Sequence, residues 1–421
     1  MRSSGIFIAV PCMLFWCLTG LVSLFVLCPY DAAAAQFNIL PSIMVSEEYN
    51  DNIFLTPTGK QGDFITRIVP AFDLVHNTSF WSWKIDYAYD YRYYARDTVQ
   101  RDTTYIANLV EHTELINNAL YIDMLDAYQR ISLNVTRNYT QESLFLNQTE
   151  QNIFTLNPYL NLTSGPSHTV QVGYRFVNTW YKDPAAIGEN DHIGYLSMSA
   201  PMSSNVTIIG DVRYTRGLNR IAGYFKSDII TGPVYTYAAN SAIYCELGET
   251  WLRVAGYENI HHLLWDLGIT HHYSTMALKV ETKTDYVPDP LNSIKRVDQL
   301  EATLTRESTT RTSLSGSVGW YEYRNAATDH LEQTEYRLSG QMQHILTPRW
   351  TLKGEISNSI LQDYIQEADT YIYQIMTRFE RKMLQDLTFA MNYTYNYNYS
   401  PDLYSQNSRN NRFSVELTKK F

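Results

Sequence analysis

The end of the chain, residues 410–421, reads NNRFSVELTKKF, in which apolar and polar residues alternate before a terminal Phe. Only a β-strand places every second side chain on one face. Phe413, Val415, Leu417 and Phe421 therefore share one face of a predicted final strand. If the same alternation recurs upstream, the chain has an all-β fold.

The period of two does recur along the chain. Its clearest instance is 81–93, where Trp, Ile and Tyr alternate with Ser, Lys, Asp, Ala and Arg over thirteen residues. At about 3.3 Å per residue, a strand of this length crosses a bilayer with tilt. A helix would need apolar residues spaced by three and four, which these segments lack. Twenty strands are predicted, over residues 37–47, 63–74, 80–93, 103–113, 118–136, 151–162, 168–180, 191–202, 204–215, 223–236, 241–255, 260–271, 275–286, 295–306, 309–323, 333–345, 349–361, 370–381, 384–397 and 410–421.

Short turns alternate with longer loops between these strands. Turns are predicted at 76–79, 164–167, 203–205, 347–349 and 381–383. Longer segments lie at 48–62, 94–102, 137–150, 181–190, 216–222, 287–294, 324–332, 362–369 and 398–409. Short connections on one side and long ones on the other are typical of outer-membrane barrels, whose short side is periplasmic. An even strand number fits such a barrel, and the loss of one hairpin within 216–260 would leave eighteen strands.

The composition favours a membrane barrel. Hydrophobic residues make up 45% of the chain and aromatic residues 14%, with 34 Tyr, yet the mean hydropathy is only −0.29. One face of each barrel strand meets lipid and the other meets water, and Tyr and Trp favour the two interfaces. A large secreted β-protein with a Tyr-rich surface is the alternative. Twenty strands give a backbone diameter of about 40 Å, which side chains cannot fill.

The beginning of the chain reads as a secretory leader. Arg2 precedes an apolar run from Ile6 to Cys28, and Ala32 to Ala35 offer a small-residue cleavage site. We expect a signal peptide over 1–35 and a barrel over 36–421, exported to the bacterial outer membrane. An uncleaved anchor and lipidation at Cys28 are alternatives. Only Cys245 remains after cleavage, so an intramolecular disulfide is not expected.

The alternating strands predict which charged residues line the lumen. This inward set mixes both signs among many Ser, Thr, Asn and Gln residues. It comprises Lys84, Asp86, Asp90, Arg92, Arg175, Lys279, Glu281, Lys283, Asp285, Glu335, Arg337, Lys353 and Glu355. A ring of one sign would indicate ion selectivity, whereas mixed charge suits a hydrated path for neutral or mildly charged solutes. The alternative is that these groups only pair with one another. If the pore conducts, the net charge of −10 favours cations.

Two segments resemble known outer-membrane proteins. The final strand is similar to the closing strand and assembly signal of bacterial outer-membrane β-barrels, although Lys419 stands where that signal usually has an apolar or aromatic residue. The opening from Pro41 to Phe54, PSIMVSEEYNDNIF, resembles the start of the β-barrel porin 2 type of outer-membrane protein. That type is associated with exopolysaccharide and exosortase (PEP-CTERM) systems. The resemblance implies a role near polysaccharide or surface-protein export and supplies no catalytic residues.

Other classes of function find little support in the sequence. The motifs G-x-S-x-G and H-E-x-x-H and a Gly-rich phosphate loop do not occur, so an enzyme is not expected. In each of the pairs His261–His262 and His271–His272, the two side chains are expected to point to opposite faces of the strand, so neither pair chelates a metal by itself. The acidic and amide groups of 46–54 suit a turn cap better than a Ca²⁺ site. No cofactor or metal site is predicted, and an acidic chain without basic blocks argues against nucleic acid.

These observations predict an outer-membrane channel for small solutes or saccharide material, including exopolysaccharide. The alternative function is a non-conducting surface scaffold or receptor with its loops folded into the lumen. The expected partners are outer-membrane lipid and lipopolysaccharide, the barrel-assembly machinery and polysaccharide-export components.

Overall fold

The computed structural model describes residues 36–100, 102–134, 137, 139–144, 146–164, 168–221, 223–291 and 293–421. The predicted leader, 1–35, lies outside these ranges. The strands are β1 Gln36–Asn50, β2 Asp63–Asn77, β3 Trp81–Tyr94, β4 Asp102–Ile116, β5 Leu120–Ser132, β6 Gln148–Ser164, β7 His168–Tyr181, β8 Glu189–Pro201, β9 Val206–Asn219, β10 Tyr224–Ala238, β11 Ser241–Val254, β12 Ile260–His272, β13 Met276–Asp289, β14 Ser293–Thr309, β15 Thr312–Asn325, β16 Leu331–Thr347, β17 Trp350–Asp363, β18 Ala368–Leu384, β19 Leu387–Tyr399 and β20 Ser408–Lys420. A single helical turn, α1, spans Tyr139–Glu142, and a short 3₁₀ turn spans Tyr404–Gln406.

The twenty strands form one closed antiparallel barrel. Each strand pairs with the next along the chain, and β20 returns to pair with β1. Fifteen residue pairs join β1 to β2, and nine, from Ser42–Lys420 to Asn50–Arg412, join β1 to β20. Closure satisfies the backbone groups that an open sheet edge would leave unpaired in lipid. The prediction of twenty strands is confirmed, and the alternative of eighteen is wrong.

The connections differ in length at the two ends of the barrel. At the end that holds Gln36 and Phe421, turns of two residues link β10 to β11, β14 to β15, β16 to β17 and β18 to β19. Asn240 turns the first of these with a φ of 58°, a left-handed conformation that Asn tolerates well. The turn predicted at 381–383 is wrong, because β18 continues to Leu384 and the chain reverses at 385–386. The opposite end carries the longer loops, including 51–62, 133–147 and 400–407.

Side chains alternate between an apolar and a polar face of the wall. On β1, Phe37, Val45 and Tyr49 are exposed on one face, whereas Ser46 and Glu48 are buried on the other. Phe37 and Tyr49 lie twelve residues apart, which corresponds to about 30 Å along the axis of a barrel with strands tilted by 40°. This height matches the apolar band of an outer-membrane barrel between its two aromatic girdles.

Buried apolar side chains form small clusters near the long-loop end. One contains Ile53, Ile65 and Tyr94, with Leu144 against it. Another joins Tyr224, Leu252 and Ala326. In the described part of the chain, no helix is both long and apolar enough to span a membrane.

Candidate functional site

All thirteen residues predicted to line the lumen share one face of the wall. Register partners on neighbouring strands project to the same side, so the face can be followed around the barrel. From Lys353 it passes to Arg378, Asn392, Ser414 and Glu48 through consecutive pairings. Following the remaining strand pairs in the same way reaches the other predicted lumen residues. We call this the polar face; Phe413, Val415 and Leu417 lie on the opposite, apolar face.

Most of the thirteen residues form ion pairs. Lys84 contacts Asp86 at 2.7 Å, Arg92 contacts Asp90 at 2.7 Å, and Arg337 contacts Glu335 at 2.9 Å. Three further pairings join Lys279 to Glu281, Lys283 to Asp285 and Lys353 to Glu380. Arg175 instead lies over the Tyr195 ring, 5.2 Å from its centroid. Charge pairing is therefore the rule on the polar face, and few of these charges are available to select ions.

A cavity of ≈ 520 Å³ lies against the polar face of β14–β20, β1 and β2. Its lining includes Lys353 and Glu355 from the predicted set, with Glu48, Arg67 and Arg412. Arg412 binds Glu48 through Nε at 2.8 Å and through Nη2 at 3.0 Å. Serine, threonine, asparagine and glutamine side chains also line it, together with Arg378, Glu416 and the less polar Leu314, Met342, Met376 and Tyr393. Such a surface offers hydrogen-bond donors and acceptors in nearly balanced charge, which suits hydroxylated solutes.

The loop between β5 and β6 crosses the long-loop mouth. Glu142 of α1 accepts a hydrogen bond from Asn398 Nδ2 of β19 at 2.6 Å, although β5 and β19 lie six strands apart around the barrel. The carbonyl oxygen of Leu144 accepts hydrogen bonds from Arg92 and Arg130, each at 2.8 Å. This loop therefore narrows the opening from one side.

A buried ion pair holds this loop in its conformation. Arg137 donates to both Glu142 oxygens, at 2.9 and 2.7 Å, and the two side chains are 7% and 5% exposed. Burial lowers the pKa of Arg137, but the hydrogen bond and charge of Glu142 outweigh burial and raise the pKa above its ordinary value. The guanidinium therefore stays charged and depends on Glu142 as its counter-ion.

Other loops also reach across the mouth. The Ile187 N–H, in the loop after β7, donates to the Pro290 carbonyl after β13 at 2.7 Å. In the same region, Ala326 after β15 packs against Tyr224 of β10. Asp329 of that loop binds Arg296 Nη1 at 2.7 Å. The loops after β7 and β13, which belong to strands six apart, therefore meet at the mouth.

The opening segment that resembles the porin 2 type closes the barrel seam. Asp51 accepts hydrogen bonds from the Asn411 N–H at 2.7 Å and from Asn411 Nδ2 at 2.6 Å. Asn410 Nδ2 donates to Asn50 Oδ1 at 3.0 Å, and Asn52 Nδ2 donates to the Arg409 carbonyl at 3.0 Å. Asn52 Oδ1 also accepts a hydrogen bond from the Thr56 N–H at 3.0 Å, which caps the turn as expected. These amides and carboxylates fasten β1 to β20.

The two histidines of each adjacent pair lie on opposite faces of β12. His262 Nε2 lies 3.7 Å from Asp329 Oδ1 on the polar face, whereas its neighbour His261 projects to the other face. The His271 Nδ1 atom and the Tyr237 hydroxyl share one hydrogen bond, at 2.7 Å. Within the described ranges, no group of three or more His, Cys, Asp or Glu side chains is arranged to hold a metal ion.

The sequence interpretation missed several residues of this site. Arg378 and Glu416 pair across β18–β20 at 2.7 Å, and their strand periodicity could have identified them. Arg137 and Glu142 carry no such signal, and the bond from Asn398 to Glu142 depends on how a loop folds across the mouth. The terminal Phe421 is 70% exposed and its N–H donates to Pro41 at 2.9 Å; its role in assembly stays a prediction.

The fold defines a class of protein. A closed 20-stranded barrel with an apolar outer belt and unequal connections is an integral β-barrel of the bacterial outer membrane. The chain is assigned to that membrane.

Solved structures of outer-membrane proteins share this fold. The FrpB iron transporter from Neisseria meningitidis (F5-1 variant) is 8% identical with a TM-score of 0.51, over 90% of this chain and 82% of that one. The copper transporter OprC is 6% identical with a TM-score of 0.53, over 94% and 82%. A ferric enterobactin receptor mutant (Q482A) from Pseudomonas aeruginosa is 9% identical with a TM-score of 0.52, over 93% of this chain and 82% of that one. No family model and no curated protein matches the chain, and at these identities the likeness concerns the fold alone.

Proposed function

We propose that the protein is a non-enzymatic outer-membrane channel for small hydrophilic solutes, whose polar face lines the lumen and whose mouth is narrowed by loops. The single observation that carries this proposal is the cavity of ≈ 520 Å³ against the polar face. Its paired charges and many hydroxyl and amide groups favour neutral, hydrogen-bonding solutes over ions.

The lumenal assignment of the polar face is supported by loop contacts. Arg92 and Asn398 both belong to this face, and both bind the loop between β5 and β6. A single loop reaches β3 and β19 together only from the concave side of the wall. The opposite face carries the exposed apolar side chains that suit lipid.

A second candidate is a receptor or scaffold with a sealed barrel. The contacts between loops of distant strands favour it, because Ile187–Pro290 and Glu142–Asn398 both cross the mouth. The similar solved structures include proteins described as a siderophore receptor and as metal transporters. Under this alternative the loops bind a partner and the lumen does not conduct.

A finer proposal concerns the transported material. The opening from Pro41 to Phe54 supports a relation to the porin 2 type, and hence to saccharide or exopolysaccharide export with polysaccharide-export components as partners. Delivery to the membrane by the barrel-assembly machinery is proposed from the final strand.

Single-channel recording tests the proposed function. We would purify the barrel, check folding by heat-modifiable gel mobility, and record currents in a planar bilayer with neutral sugars of increasing size. A stable conductance that small sugars reduce and large sugars leave unchanged is expected. A folded barrel without current would overturn the channel and favour the sealed receptor.

A further inference from the structure

The apolar face of β9–β11 carries two arginines that lie beside one aromatic ring. Arg216 of β9 and Arg253 of β11 are both register partners of Phe225 on β10, one on each side. The Arg216 guanidinium lies 5.8 Å from the centroid of the Phe225 ring. Both arginines are exposed, and among the described residues neither forms a salt bridge. Two guanidinium groups without counter-ions therefore flank a ring on the outside of the barrel.

These residues lie close to the long-loop ends of their strands. Phe225 is the second residue of β10, and Arg253 is the last but one of β11. His192 extends the row, because it is the register partner of Arg216 on β8. The long-loop end faces the cell exterior in barrels of this type, so the row belongs near the outer-leaflet interface.

Below this row, the wall offers a surface for acyl chains. The next residues towards the membrane are Tyr214, Ser227 and Trp251, again register partners across β9–β11. Tyr214 is 53% exposed and Trp251 is 43% exposed, and the small Ser227 leaves a groove between them. Further down follow Val212 and Ile229, beside Glu249.

The chemistry of this patch suits a phosphate group. An arginine on the lipid-facing wall is unfavourable in hydrocarbon but tolerated near the interface. Guanidinium groups bind phosphate through paired hydrogen bonds, and they keep their charge at every physiological pH. Arg216 and Arg253 lie on strands about 10 Å apart, so their long side chains can converge on one phosphate over Phe225.

We propose that this patch binds the phosphate-bearing headgroup of an outer-leaflet lipid. Arg216 and Arg253 hold the phosphate, and the acyl chains lie in the groove between Tyr214 and Trp251. Charge complementarity selects this occupant, because the two guanidinium groups have no carboxylate partner within the described residues. The site is independent of the lumen and holds whether or not the barrel conducts.

Lipid binding by the purified full chain tests the proposal. Native mass spectrometry from detergent micelles would compare phosphorylated lipid A with its dephosphorylated form. Retention of the phosphorylated form alone is expected, and the double variant R216Q/R253Q should reduce that retention about tenfold or more, equivalent to at least one bidentate charge-assisted contact. Excess inorganic phosphate should not displace the lipid, because it cannot use the groove.

A matched pair of rim arginines provides the control. Arg96 lies over Phe64 at 5.6 Å and Arg409 lies over Tyr395 at 5.5 Å, but neither faces a second arginine across a shared ring. R96Q/R409Q removes the same charge and should bind like the unmodified protein. R216K/R253K, which keeps the charge, should retain part of the binding. Equal retention of dephosphorylated lipid A, or an equal loss in the control, would overturn the proposal.

Discussion

At the scale of the residue, glycines on the polar face make room for tyrosine rings. Gly173, Gly217 and Gly268 are register partners of Tyr195, Tyr224 and Tyr244 on a neighbouring strand. A Cβ at Gly217 would lie 2.0 Å from the Tyr224 ring, and one at Gly173 would lie 2.4 Å from the Tyr195 ring. Each ring covers the backbone of the neighbouring glycine, as in the aromatic rescue used in designed sheets.

We expect G217A to destabilise the barrel by about 1–3 kcal/mol, the usual cost of overpacking. The added methyl would displace Tyr224, which is 5% exposed and donates from its hydroxyl to Asp191 at 3.0 Å. The midpoint of urea unfolding from lipid vesicles would measure the change. G194A is the control, since a Cβ at Gly194 meets nothing within 4 Å. Equal midpoints for the two variants would contradict the role of the ring.

At the scale of the element, the strands were predictable and the loops were not. Period-two alternation is local, so residues 81–93 specify a strand without knowledge of the fold. The polar face follows from the same alternation, and Arg337 and Lys353 lie on it as expected. One partner of Glu142 is Asn398, 256 residues away, and no local pattern encodes such a contact. The shared face of these residues was therefore predictable from the sequence, whereas the contacts at the mouth were not, and their role in lining the lumen stays a prediction.

We expect E142Q to open the mouth. Glutamine keeps the volume of Glu142 but leaves buried Arg137 without a counter-ion, which costs about 3–5 kcal/mol in the loop conformation that crosses the mouth. At 1.4 kcal/mol per factor of ten, this cost shifts the loop towards an open state by more than a hundredfold. Single-channel conductance should therefore rise.

The control for the loop is E258Q, which changes an exposed carboxylate in the loop between β11 and β12. Its conductance should equal that of the unmodified barrel. If E142Q also leaves the conductance unchanged, the loop between β5 and β6 does not limit the aperture.

At the scale of the whole molecule, closure depends on a seam between the two ends of the chain. Asn410 and Asn50 are 360 residues apart in sequence and bond at 3.0 Å, whereas every other neighbouring pair of strands is consecutive along the chain. Bringing such distant segments together costs more loop-closure entropy than forming a hairpin. The side-chain hydrogen bonds around Asp51, Asn52 and Arg412 join β1 to β20, and they offset part of this loop-closure entropy.

We expect N410A to loosen this seam selectively. Asn410 is fully buried and donates to both Asn50 and the Asn52 carbonyl; losing these bonds costs about 1–3 kcal/mol. Amide hydrogen exchange should accelerate in β1 and β20 more than in β10 and β11. N178A is the matched control, because Asn178 also donates to an asparagine, Asn190, at 2.7 Å, but between the consecutive strands β7 and β8. This control variant should lower the overall stability, but it should not accelerate exchange in β1 and β20 more than in the other strands. If N410A accelerates exchange equally in all four strands, the asparagine network does not hold the barrel closed, and backbone pairing between β1 and β20 is sufficient by itself.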